Sequence, residues 1–332
     1  MARLATPFLN QSISDALDEC AASTALVSPP SVNPRRFVVQ SAQISTELWV
    51  YIWTLTHGGG AARPKNEYRI QLTGVAPPLA LNPTGPTILI GYEPNTRCFA
   101  GFDLSRHKRF SVNSPSIQIS ITALHDALQH GFSFTKKGND EIAIGFRPDQ
   151  FLAYALNADL LHSRGADAKT IGLLEKAASL QSIKSSELQT LAKDRQRVVA
   201  TVSRLSRDSD FRRKVTIAYD RRCAVTRIQL RLIDAAHILP VGATGSNDEV
   251  YNGICLSPTY HRAFDRSLIY LDEKLRMRIN PAQESELVRL GLNGGLGDFK
   301  SYLDKRIHLP ADQRQWPQPD LIRSANKFRR IP

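Results

Sequence analysis

No run of eighteen apolar residues occurs in the 332-residue chain, so nothing in it reads as a membrane-spanning helix. The opening stretch, residues 1–10, lacks the uninterrupted apolar core of a secretory signal, and a cytoplasmic protein without a membrane partner is expected. Cysteine is scarce. Cys20, Cys98, Cys223 and Cys255 are widely scattered, with no CxxC pair. A structural zinc of the four-ligand type draws on such pairs or on close histidines. None is expected here, and the four read as buried free thiols. The glycines at 58–60 lack the Gly-Lys-Ser/Thr ending of a phosphate-cradling loop. Internal repeats and low-complexity blocks are missing too.

Acidic residues are in deficit. Lys and Arg number 43 against 31 Asp and Glu, a net charge of +12. The excess is uneven: residues 201–332 hold 23 basic against 15 acidic side chains, or +8, and residues 1–200 hold 20 against 16, or +4. A basic balance concentrated at one end fits a polyanionic partner, whose phosphates supply most non-specific affinity.

What is present falls into three stretches. From about 35 to 155 the chain is strand-rich: 37–40, 47–55 and 68–72 are runs of β-branched and aromatic residues between turn-formers. Residues 87–92 and 97–102 read as a hairpin around 93–96, and 121–131 as a helix ending at a glycine. Two helical patterns follow, over 166–180 and 186–204, and a short amphipathic helix is expected over 211–219. The fold class expected is α+β: a mainly β or α+β domain over 1–155, a helical connector over 156–207 that could also pair two copies, and a third unit over 208–332.

Chemistry concentrates in that third unit. Asp234-Ala-Ala-His237-Ile-Leu-Pro240 is followed by Asn252-Gly-Ile-Cys-Leu256 and His261-Arg-Ala-Phe-Asp265. A neutral imidazole suits removal of a proton from water near pH 7. A histidine and an aspartate four residues apart share one helix face and can converge on one ion. The order and spacing of His237, Asn252 and His261 resemble the HNH nuclease family, over roughly residues 208–275.

The resemblance implies a ββα-metal unit of two antiparallel strands and a helix around one divalent cation. It implies His237 as general base, Asn252 pinning the loop that orients it, and His261 with Asp265 as metal ligands. Many family members carry a further ligand directly before the first histidine. Here that residue is Ala236, a departure that leaves the ion one ligand short. Asp234 is the candidate to compensate, although on a regular strand it points to the face opposite His237. The expected cofactor is one divalent ion, Mg²⁺ or Mn²⁺.

Arg262 and Arg266 are candidates for gripping phosphate, or ordinary surface charges. In the first stretch the same reading applies to Arg63, Lys65, Arg69, Arg106, Lys108 and Arg109. Trp49, Trp53, Tyr68 and Tyr92 are open to core packing or to stacking on a base. The first stretch is also similar, less specifically, to N-terminal modules of restriction-type endonucleases. The expectation is a restriction-type DNA endonuclease acting on double-stranded DNA, sequence-specific or modification-dependent. One site cuts one strand, so a double-strand break implies a homodimer or two events. A catalytically silent DNA-binding or ligand-sensing protein with the same fold is the alternative.

Overall fold

The long apolar runs of the first 150 residues are strands buried on both faces. The computed structural model describes residues 4–41, 44–57, 64–110, 115–164 and 167–331. The chain divides into two units, Met1–Ser209 and Asp210–Pro332.

The first unit holds strands β1 (Ser23–Leu26), β2 (Arg35–Gln40), β3 (Ser45–Thr54), β4 (Thr56–His57), β5 (Glu67–Gln71), β6 (Thr87–Glu93), β7 (Cys98–Phe102), β8 (Ser116–Ser120), β9 (Phe132–Lys136) and β10 (Ile142–Phe146). Seven make one sheet in the order β1-β2-β3-β6-β7-β10-β9. All its pairings are antiparallel except β3 with β6. The expected hairpin is β6–β7, closing with Glu93 opposite Cys98. Alternation explains the double burial: Val50, Ile52, Ile88, Ile90 and Phe99 enter one core, while Tyr51, Leu89, Cys98, Ala100 and Phe102 enter another. The second core is closed by the smaller sheet β4-β5-β8, through Ile70, Ile117 and Ile119.

Helices pack on both cores, and the helix Ile121–His130 gives Ala123 and Leu124 to the second. The helix Ile121–His130 starts on Ser120, whose side chain accepts from Thr122 N–H, and stops at Gly131 with φ 84°, as its sequence foretells. The helices Phe151–Arg164, Ala168–Ala178 and Lys193–Ala218 follow. Residues 156–207, expected as a connector, contribute Leu161, Leu173, Leu174, Val199 and Val202 to the core of the first unit. In place of separate helices over 186–204 and 211–219, one continuous helix runs from Lys193 to Ala218. Neither glycine nor proline interrupts it.

The buried pair His162 and Tyr154 in this unit is hydrogen-bonded. His162 donates from Nδ1 to the Ile142 carbonyl at 2.8 Å, so its Nε2 accepts from the Tyr154 hydroxyl at 2.9 Å. Burial lowers the His162 pKa to about 4. Trp49 and Tyr92 are buried, and the Trp53 indole donates to the Thr73 carbonyl, so packing accounts for all three. Tyr68, half-buried, meets His57 edge-on. All four cysteines are buried and free.

The second unit contains strands β11 (Asp234–His237), β12 (Gly253–Leu256), β13 (Ile269–Leu271) and β14 (Met277–Ile279). β11 and β12 pair antiparallel, with His237 opposite Gly253 and Asp234 opposite Leu256. The helix Pro258–Asp265 follows β12 and packs on both strands. Its core joins Phe211, Val215 and Tyr219 to Ile254, Leu256, Phe264 and, far along the chain, Ile322 and Ala325.

Candidate active site

Four bonds from one side chain shape the loop after β11. Asn252 is fully buried. Its Oδ1 accepts from Leu239 N–H at 2.9 Å, and its Nδ2 donates to the carbonyls of Leu239 at 3.2 Å and Asn247 at 2.8 Å and to Ser246 Oγ at 3.3 Å. The Asn252 carbonyl accepts from Ile238 N–H at 2.8 Å. A residue able both to donate and to accept is needed here, which an aspartate cannot do when ionised.

His237, at the end of β11, is held on two sides. Its ring stacks on Phe211, with centroids 3.7 Å apart and planes 9° from parallel. Its Nε2 lies 3.0 Å from Asp248 Oδ1. A carboxylate accepts, so Nε2 carries the proton and Nδ1 keeps its lone pair in the neutral ring. Behind the strand, Arg329 donates to the carbonyls of Ile238 at 2.6 Å and His237 at 3.5 Å, and its guanidinium lies over the Phe264 ring. Asp248, Phe211 and Arg329 escape sequence reading. Asp248 sits in a polar loop without periodicity, and Phe211 and Arg329 lie 26 and 92 residues from His237.

His261, on the helix, faces carboxylates at both ring nitrogens: Asp234 Oδ2 at 3.5 Å from Nδ1 and Asp265 Oδ2 at 3.4 Å from Nε2. Asp234 and His237 therefore engage different groups, as opposite strand faces require. Burial works against the imidazolium of His261, but the Asp234 hydrogen bond and the two carboxylate charges outweigh it and raise the pKa. Burial likewise opposes ionisation of Asp234, and His261 and Arg212 outweigh it, lowering the pKa.

Two carboxylates and an imidazole suit a hard divalent cation chemically. Because the carboxylates stand at opposite nitrogens, an ion bonded to His261 meets one of them. Among the described residues no group of three or more His, Cys, Asp and Glu side chains is placed to hold a metal ion. An ion at this place would draw on His261 and one carboxylate, with water supplying the rest of its shell.

Of the candidate phosphate contacts, Arg262 and Arg266 are exposed on and just after the helix. Lys65 and Arg109 are exposed, Arg69 lies on β5, and Lys108 caps a short helix. Arg106 is tied to Asp103 at 3.5 Å and to the Asn139 carbonyl. Arg63 lies outside the described residues.

The strand pair, the helix and the three motif residues define an HNH endonuclease domain. Residues 223–272 match the family model described as HNH endonuclease. Residues 46–155 match another, described as Methylase-associated X1. Among solved structures, the chain is similar to a modification-dependent TagI restriction endonuclease, with 12% identity, 83% of this chain and 80% of that one covered, and a TM-score of 0.27. No curated protein matches.

Proposed function

We propose that the chain is a restriction-type DNA endonuclease in which His237 is the general base. The observation that carries this reading is the held state of His237. Asp248 fixes the proton on Nε2, Phe211 fixes the ring plane, and the Asn252 staple fixes the backbone that follows. Nδ1 is then the atom that takes the proton from the attacking water. His261 with Asp265 or Asp234 would hold one divalent cation, Mg²⁺ by preference, which supplies stabilisation of charge on the departing oxygen. Arg262 and Arg266 bind neighbouring phosphates, and hydrolysis leaves 5′-phosphate and 3′-hydroxyl ends.

An HNH unit is small and meets mostly backbone, so selectivity falls to the first unit, Lys65, Arg69, Arg106, Lys108 and Arg109 included. The family description over 46–155 names an association with methylases, which supports a reader that sorts modified from unmodified DNA. Two copies acting on one duplex would give a double-strand break.

The test is cleavage of unmodified, methylated and hydroxymethylated plasmid with Mg²⁺, Mn²⁺ or EDTA, with His237→Ala in parallel. Metal-dependent fragments that vanish in the variant support the reading. Binding without cutting under every metal would establish the silent DNA-binding alternative instead.

A further inference from the structure

A cavity of about 360 Å³ in the second unit is lined by Thr226, Arg227, Tyr302, Lys305, Arg306 and His308. Neither His237 nor His261 lines it, nor does any carboxylate. Some cations of this unit face a carboxylate, among them Arg278 with Asp304 at 3.0 Å, Arg314 with Asp312 at 2.8 Å, and Arg323 with Glu273 at 2.7 Å. Arg227, Lys305 and Arg306 have no such ion pair among the described residues. The carboxylate next to Lys305 in sequence, Asp304, is the one engaged by Arg278. Three cations around a concave surface are a receptor for an anion with several acceptor oxygens.

The cavity also has an apolar side, from Met277 and Ile307. Tyr302 is half exposed at its edge, placed to stack on a planar ring. Cations for a phosphate beside apolar and aromatic surface for a base are what one nucleotide needs. We propose that this cavity is a second DNA contact of the catalytic unit, seating one nucleotide of the bound strand with its phosphate against Arg227, Lys305 and Arg306. The inference rests on the reading of the chain as a DNA enzyme. It assigns a contact separate from the helix that carries Arg262. In keeping with an electropositive pocket, burial and the Arg227 charge lower the His308 pKa.

The experiment uses the full chain in EDTA, with anisotropy of a labelled duplex read across a salt series. Arg227→Gln and Lys305→Gln should each weaken binding and flatten the log–log salt slope by about 0.9, the value of one lost phosphate contact. Arg314→Gln, whose guanidinium is held by Asp312, should leave the slope unchanged. Slopes equal to wild type in both cavity variants overturn the inference. A wild-type chain that binds no DNA overturns the underlying function instead.

Because Arg227 has φ 63° and its replacement could disturb the turn, the unaltered protein supplies a second readout. The His308 imidazole, followed by NMR, should titrate at higher pH with duplex present, with or without a weaker shift in thymidine 5′-monophosphate alone. A shift with the monophosphate only makes this a free-nucleotide site, and no shift with either overturns both; each result counts against a strand contact.

Discussion

At the scale of single residues, the two histidines of the motif do opposite things with their carboxylates. Asp248 accepts a hydrogen bond from His237 Nε2–H and leaves Nδ1 with its lone pair, whereas Asp234 and Asp265 face both nitrogens of His261. His237→Ala should lower the cleavage rate by about 10²–10⁴-fold, the usual worth of a general base. Asp248→Asn should lower it by less while leaving the melting temperature within a degree or two, because an amide can still meet the ring but no longer dictates the tautomer. Single-turnover rates against pH decide this: a profile and rate like wild type would remove Asp248 from the mechanism. Asn252→Ala acts elsewhere. It strands the buried Leu239 N–H and should destabilise the second unit by about 1–3 kcal/mol, read as a drop in urea midpoint. The triad itself is legible in sequence because spacing and neighbours carry it. Asp248 and Arg329 are not, because a polar loop residue and a distant arginine leave no pattern until the chain closes on itself.

At the scale of elements, sequence pattern served well where a defined cap or turn ends the element. The helix over 121–130 follows from its terminal glycine with positive φ, and the β6–β7 hairpin, buried on both faces, from the turn-formers Pro94 and Asn95 between two apolar runs. It served less well over 186–218. An unbroken helix whose buried face shifts along its length reads as two shorter ones, and only its lack of breakers marks it as continuous. The strand pair makes a sharper point. Gly253 sits opposite His237, and a Cβ there would lie 2.3 Å from the Val215 side chain. Gly253→Ala should therefore cost about 1–3 kcal/mol through overpacking and loosen the Phe211–His237 stack with it. A Val215→Ala partner change should restore part of the loss in both stability and cleavage, and purely additive losses would contradict this account.

At the scale of the whole molecule, each unit carries its own core, and their titrations differ. His162 is neutral in the folded first unit, with a pKa near 4 against about 6.5 in the unfolded chain. Between those values the unfolded state binds the extra proton, so stability is complete above about pH 6.5 and falls as pH drops towards 4. The loss reaches about 3 kcal/mol. Trp49 and Trp53 belong to this unit and Trp316 to the other, so a Trp316→Phe chain reports the first unit alone. Its urea midpoint by fluorescence should be lower at pH 4.5 than at pH 7, and equal midpoints would refute the assignment. The segment recognised as an HNH domain spans 223–272, yet the ring beneath His237 comes from Phe211 and the guanidinium behind it from Arg329. A chimera that transplants the recognised fifty residues into another scaffold would carry the motif and leave its supports behind. The compact unit that holds His237 together with both supports begins at Asp210 and includes Arg329, so a protease clip that removes Arg329 is expected to lower cleavage without touching a motif residue.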